Sequence, residues 1–103
     1  MRKILVDSDI IIDVLRNFRK TKEILEKIAG EDLYISGITE LEIFAGEDMK
    51  DEQKKRVVTS FLSKFKKINP NNEIFQLAGE FRRKYKLPPL DCIIAATVYL
   101  INA

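Results

Sequence analysis

Residues 4–15 read ILVDSDIIIDVL and place an acidic side chain directly after a short apolar run. The run, residues 4–6, is aliphatic and predicts a buried strand. Asp7 then stands at the carboxyl end of that strand, and Ser8 or Asp9 can cap a helix that follows it. In open α/β sheets, this end of a strand is where ligands bind.

The rest of the sequence alternates segments of strand and helix character. Further strands are predicted over residues 33–36 and 66–68, and helices over 38–45, 51–65, 72–86 and 90–101. Strands that alternate with helices indicate an α/β domain around a short parallel sheet. With 103 residues, the chain is expected to form a single domain over residues 1–103.

The composition excludes several kinds of enzyme. The sequence contains no histidine, which rules out Ser–His and Cys–His catalysis and histidine-ligated zinc. The single cysteine, Cys92, lies in an apolar run and is interpreted as a buried small hydrophobe. Any chemistry must therefore use carboxylates, lysines, hydroxyls and a hard metal ion.

Charge and hydropathy point to a folded domain outside the membrane. The chain is 46% hydrophobic and 33% charged, which argues against disorder and against a membrane protein. No apolar run approaches the roughly 20 residues needed to span a bilayer. Asp7 interrupts the N-terminal apolar run too early for a signal peptide, so we expect a cytoplasmic protein.

Three acidic residues stand beside apolar segments rather than in solvated charge runs. Asp7 follows the first strand, Glu42 lies in the helix after the second strand, and Asp91 begins the last helix. Each has a structural interpretation as a helix cap, a helix-dipole partner or a solvent-facing residue. Taken together they predict a cation site, because gathered carboxylates repel one another unless a cation such as Mg²⁺ lies between them.

Three blocks of sequence resemble the PIN domain family, and VapC-type toxin ribonucleases in particular. Residues 4–16 resemble its opening strand, acid and apolar helix. Residues 35–46, ISGITELEIFAG, resemble the second block, with Ser, Thr, Glu and Gly at the family's spacing. Residues 87–97, LPPLDCIIAAT, resemble the third, an Asp followed by an apolar pair and Ala-Ala-Thr. The blocks occur in family order and extend over residues 4–97.

The resemblance implies a PIN-like three-layer fold and a metal-dependent endoribonuclease that serves as the toxin of a toxin–antitoxin pair. Asp7, Glu42 and Asp91 would be the catalytic, metal-binding acids for Mg²⁺ or Mn²⁺, and Ser8 a catalytic hydroxyl. Thr39 would be a helix cap. Partners would be an RNA substrate and a cognate antitoxin protein. Asp9 and Asp13 are interpreted as structural.

Basic residues cluster in three segments, 54–56, 64–67 and 82–86, although the net charge is only +2. The simplest interpretation is solvated helix faces. In a ribonuclease, the same clusters would hold the RNA backbone.

The sequence also departs from the family pattern at its C-terminal end. PIN domains usually continue into a further strand that carries another site residue, so the chain resembles a C-terminally truncated PIN domain. It could be a fragment, a naturally short product or a domain completed by a partner. An exposed edge beside residues 4–6 invites pairing with another chain. Together with the apolar segment 93–101, it predicts a homodimer or a partnered state.

Two other functions are compatible with the sequence. One is a catalytically weak or inactive PIN module that acts as a partner-binding protein. The other starts from Asp7-Ser8-Asp9, which resembles the opening motif of haloacid-dehalogenase-type phosphatases. Those enzymes need a second acidic block, and Asp91 has no acidic neighbour.

Overall fold

The computed structural model describes residues 1–16 and 19–103, which form a three-stranded parallel sheet flanked by helices. The elements are β1 (Lys3–Leu5), α1 (Ser8–Leu15), α2 (Arg19–Lys27), β2 (Asp32–Ser36), α3 (Gly37–Phe44), a 3-10 turn (Glu47–Lys50), α4 (Glu52–Leu62), β3 (Lys66–Ile68), α5 (Asn72–Tyr85) and α6 (Pro89–Ile101). The strand order is β1-β2-β3, with Leu5 opposite Tyr34 and Ser36 opposite Ile68. The predicted α/β fold is therefore confirmed.

Polar side chains at the helix starts explain why helices begin where the strands end. Asp7 caps α1 and Ser36 caps α3, so each of β1 and β2 leads almost directly into a capped helix. The Ser36 hydroxyl accepts a hydrogen bond from the Ile38 amide at 3.1 Å. The expectation that Ser8 or Asp9 caps the first helix is wrong, because Ser8 is already its first residue.

Gly37 allows the start of α3 to approach the loop after β3. A Cβ atom at this position would lie 3.1 Å from the Asn69 side-chain oxygen and 3.4 Å from the ring of Pro70. Glycine avoids that crowding, which keeps α3 close to the end of the sheet.

Two clusters of buried side chains stabilise the fold. The first, here called the sheet core, consists of Val6, Ile11, Ile35, Ile43, Val58, Leu62 and Phe65. The second, the hairpin core, lies between α5 and α6 and consists of Ile74, Ala78, Cys92 and Ala96. Cys92 is buried, as the sequence predicts. Ile68 of β3 packs against the hairpin core and so connects the helix pair to the sheet.

None of the helices in residues 1–16 and 19–103 is long and apolar enough to cross a membrane.

Candidate active site

Asp7 lies at the carboxyl end of β1, where the sequence places it. The Val6 amide still bonds to the Tyr34 carbonyl at 2.8 Å, so the chain leaves the sheet only at Asp7. The Asp7 carboxylate accepts a hydrogen bond from the Ser8 amide at 2.8 Å and is otherwise exposed. This bond uses one carboxylate oxygen, Oδ1, and leaves Oδ2 for other ligands.

Ser8 connects Asp7 to Glu42, which is 34 residues further along the chain. Ser8 is 95% buried, and its hydroxyl lies 3.3 Å from Glu42 Oε1 and 3.5 Å from Asp7 Oδ1. Both distances are long for a hydroxyl–carboxylate bond, and one hydroxyl hydrogen serves one acceptor at a time. The pair is therefore held loosely, with room for each carboxylate to turn toward another ligand. The contact exists because α1 packs against α3.

Asp91 lies on a different part of the fold. It is exposed in the first turn of α6, and α6 contacts α3, the helix that carries Glu42. Within the described residues, however, no three acidic, cysteine or histidine side chains are close enough to share a metal ion. The structure thus brings Asp7, Ser8 and Glu42 together and does not add Asp91 to a three-acid group.

The acidic residues of the site have no basic partner in the part of the chain that the structure describes. None of Asp7, Glu42 and Asp91 forms a salt bridge there. Glu40, only two residues from Glu42, is instead paired with Lys67 at 2.9 Å. Uncompensated carboxylates at neighbouring positions favour a cation between them.

The other polar residues that the sequence analysis singles out, Thr39, Asp9 and Asp13, do not join the contact of Ser8 with the two acids. The expectation that Thr39 caps a helix is wrong: Ser36 caps α3, and Thr39 is completely buried. Among the described residues, the Thr39 hydroxyl has no hydrogen-bond partner. Asp9 is exposed in the first turn of α1, where the helix dipole favours an acid, and Asp13 is half-buried on the same helix.

The donor set suits a hard divalent ion. Mg²⁺ prefers oxygen ligands and is commonly held by only one or two protein carboxylates, with water and substrate phosphates completing its shell. Asp7 and Glu42 can supply those carboxylates, and the histidine-free sequence offers no competing imidazole ligand. The residues that are present therefore fit Mg²⁺ or Mn²⁺.

A short parallel sheet, with Asp7 after β1 in contact through Ser8 with Glu42 of α3, is the arrangement expected of a PIN-type domain. The chain belongs to the PIN domain family, whose model matches residues 4–103. This assignment decides against the phosphatase interpretation of residues 7–9.

Solved structures of toxin–antitoxin complexes contain chains with the same fold. A chain of a toxin–antitoxin complex from Klebsiella pneumoniae is 34% identical, with a TM-score of 0.81, and the match covers 95% of this chain and 79% of that one. A chain of VapBC2 from Rickettsia felis, crystallised with a promoter DNA fragment, is 23% identical (TM-score 0.81, coverage 100% and 84%). A chain of DNA-bound VapBC from Salmonella typhimurium is 22% identical (TM-score 0.79, coverage 95% and 80%). No curated protein matches the sequence.

Proposed function

We propose that this PIN domain is a metal-dependent endoribonuclease that acts as the toxin of a toxin–antitoxin pair. The observation that carries the proposal is the contact of Ser8 with both Asp7 and Glu42 at the carboxyl edge of the sheet. The 34% identity to a chain of a toxin–antitoxin complex supports the biological role.

Asp7 and Glu42 are the proposed metal ligands, and Asp91 is proposed as the third acid on the family resemblance. A bound Mg²⁺ or Mn²⁺ supplies Lewis-acid polarisation of the phosphodiester and activation of water. The Ser8 hydroxyl keeps the two carboxylates near each other through long contacts, so each can still turn toward an ion. The N-cap bond from the Ser8 amide fixes Asp7 relative to β1.

The proposed partners are RNA, an antitoxin and a second copy of the chain. RNA binding requires cations, which the segments 54–56, 64–67 and 82–86 supply. The proposed antitoxin follows from the 34% identical chain, which comes from a toxin–antitoxin complex. The proposed homodimer follows from β1, which among the described residues pairs with a strand on one side only. We propose a cytoplasmic location for this complex.

The first test is cleavage of a structured RNA in Mg²⁺ or Mn²⁺ by the wild-type chain and by Asp7→Asn. Asparagine caps helices as well as aspartate does, so α1 should be retained while a charged ligand is lost. We expect cleavage to fall by roughly 100-fold or more. Asp51→Asn is the matched control, because Asp51 also caps a helix, accepting bonds from the Gln53 and Lys54 amides.

Calorimetric titration with Mn²⁺ measures metal binding by the same three proteins. It distinguishes the loss of a metal ligand from misfolding. Wild type and Asp51→Asn should bind alike, and Asp7→Asn should bind more weakly. Equal cleavage by Asp7→Asn and wild type would refute the assignment of Asp7.

A catalytically weak or inactive partner-binding module is the second candidate. The observation in its favour is that Asp91 does not complete a three-acid group within the described residues. A folded wild-type chain that binds an antitoxin but cleaves no RNA in either metal would establish this function instead.

A further inference from the structure

Three aromatic rings form a continuous surface on the α5–α6 hairpin. Phe81 lies in the middle, with ring centroids 6.1 Å from Tyr85 and 6.5 Å from Tyr99. The two tyrosines are unusually open to solvent, at 63% and 68% exposure. We call these three residues the aromatic surface. Phe81 packs against the hairpin core, which anchors the surface to the fold.

Basic residues lie at the end of α5 that also carries Tyr85. Arg82, Arg83 and Lys84 lie in the last turn of α5, and Lys86 follows as its C-cap. Within the described residues, none of the four forms a salt bridge. Arg82 instead donates to the Leu87 carbonyl at 2.6 Å, which fixes its guanidinium on the hairpin loop. We call these four residues the basic rim.

The basic rim differs from the other basic clusters of the chain. Lys54 pairs with Asp48, Lys66 with Asp32 and Lys67 with Glu40, so those clusters are partly neutralised. Cations at a helix C-terminus are favoured by the helix dipole, which gives the basic rim a structural role as well. The dipole does not account for two tyrosines left open beside it.

Exposed rings beside cations that form no salt bridge in the described part of the chain match a ligand that presents flat bases and negative phosphates together. That ligand is single-stranded nucleic acid, whose bases stack on aromatic side chains while its backbone follows positive charge. A duplex buries its base faces and would use only the basic rim. An apolar protein surface would cover the rings but leave the cations without partners.

We propose that the aromatic surface and the basic rim bind unpaired nucleotides of the RNA substrate. Tyr85 and Tyr99 stack on bases, and Lys84, three residues after Phe81 on α5, contacts a phosphate. The inference rests on the proposed ribonuclease function, and it adds an RNA-binding surface on the α5–α6 hairpin, outside the contact of Asp7, Ser8 and Glu42. The hairpin loop leads from the basic rim into the first turn of α6, so the helix that carries Tyr99 also carries Asp91.

Binding is tested without cleavage, by fluorescence anisotropy of a labelled 12-nucleotide single strand in EDTA. We expect Tyr99→Ala to weaken binding about ten-fold, as expected for loss of one stacked base. Tyr99→Phe keeps the ring and should bind like wild type. Phe75→Ala is the matched control, since Phe75 is an exposed ring on α5 that makes none of the ring contacts described above.

The role of the basic rim is tested by the salt dependence of binding to the same labelled single strand. Lys84→Gln should reduce the slope of log K against log salt by roughly one unit, because one phosphate contact is lost. Lys22→Gln, an exposed substitution on α2, should leave the slope unchanged.

Three results would overturn the inference. One is equal binding of the single strand by wild type and Tyr99→Ala. Another is tighter binding of a 12-base-pair duplex than of the single strand. The third is a dimer of the wild-type chain that Tyr99→Ala converts to a folded monomer in sedimentation, since the surface would then be an interface between copies.

The two proposals fail separately. If wild type cleaves no RNA but binds single strands through Tyr99, the nuclease function fails and the binding surface stands. If wild type cleaves RNA and Tyr99→Ala binds and cleaves equally well, the binding surface fails and the nuclease function stands.

Discussion

The sheet core and the hairpin core differ in how many elements they join. Buried members of the sheet core come from α1, β2, α3 and α4 and from the segments just after β1 and just before β3, and include several large aliphatic side chains. The hairpin core comes from α5 and α6 alone, and three of its four members, Ala78, Cys92 and Ala96, are small. Small side chains let two helices lie close together, but each buries little apolar surface.

This difference matters because the candidate site is divided between the two regions. Asp7 and Glu42 are carried by elements of the sheet core, while Asp91 is carried by the hairpin. The helix pair α5–α6 has an extensive internal contact, whereas α6 contacts α3 only slightly. The position of Asp91 relative to the other two acids therefore depends on the weaker of these packings.

The largest predicted effect is on the sheet core. Ile11→Ala removes a side chain with no exposed surface from the middle of α1, and we expect the free energy of unfolding to fall by about 3 kcal/mol. Ile24→Ala on α2, where the side chain is nearly half exposed, should change it by less than about 0.5 kcal/mol. Urea denaturation measures both. Similar losses in the two variants would mean that α1 is not firmly packed on the sheet.

A medium effect is predicted in the hairpin core. Ala96 has no exposed surface, so Ala96→Leu should push α5 and α6 apart and lower the free energy of unfolding by about 2 kcal/mol. Because α6 carries Asp91, RNA cleavage should also fall in a variant that is still folded. Ala29→Leu, at an exposed position, is the control for the added side chain. Full cleavage by folded Ala96→Leu would argue that Asp91 is dispensable.

Features of the site that depend only on residues adjacent in the sequence, such as the position of Asp7, could be predicted. Asp7 directly follows an apolar strand, so its place at the carboxyl edge of the sheet follows from the parallel topology alone. The family could be predicted as well, because each of the three blocks that resemble PIN domains is a continuous stretch of sequence. Burial of Cys92 could also be predicted, because it begins an apolar run.

The rest depends on contacts between distant segments. The Ser8–Glu42 contact joins α1 to α3, and no spacing rule specifies which of Glu40 and Glu42 meets Ser8. The predicted end of one helix is also wrong. The sequence predicts a helix over residues 51–65 because Phe65 fits its apolar spacing, but α4 ends at Leu62. Phe65 is buried after the helix has ended, and periodicity cannot distinguish that from burial within a helix. The separation of Asp91 from the other acids likewise depends on helix packing.

The smallest predicted effect is a change in the free energy of unfolding when one buried threonine in each region is replaced by valine. Thr39 on α3 and Thr97 on α6 both have no exposed surface. The Thr97 hydroxyl donates to the Ile93 carbonyl at 2.7 Å, whereas the Thr39 hydroxyl has no partner among the described residues. Thr39→Val keeps the shape and removes the buried hydroxyl, so the free energy of unfolding should rise by about 1 kcal/mol.

Thr97→Val is the matched variant, and its free energy of unfolding should fall by about 0.5 kcal/mol, because a satisfied hydrogen bond is lost. Thermal and urea denaturation of both variants give the sign directly. A loss of stability in Thr39→Val would mean that the hydroxyl is satisfied in solution, with a buried water as the simplest donor or acceptor.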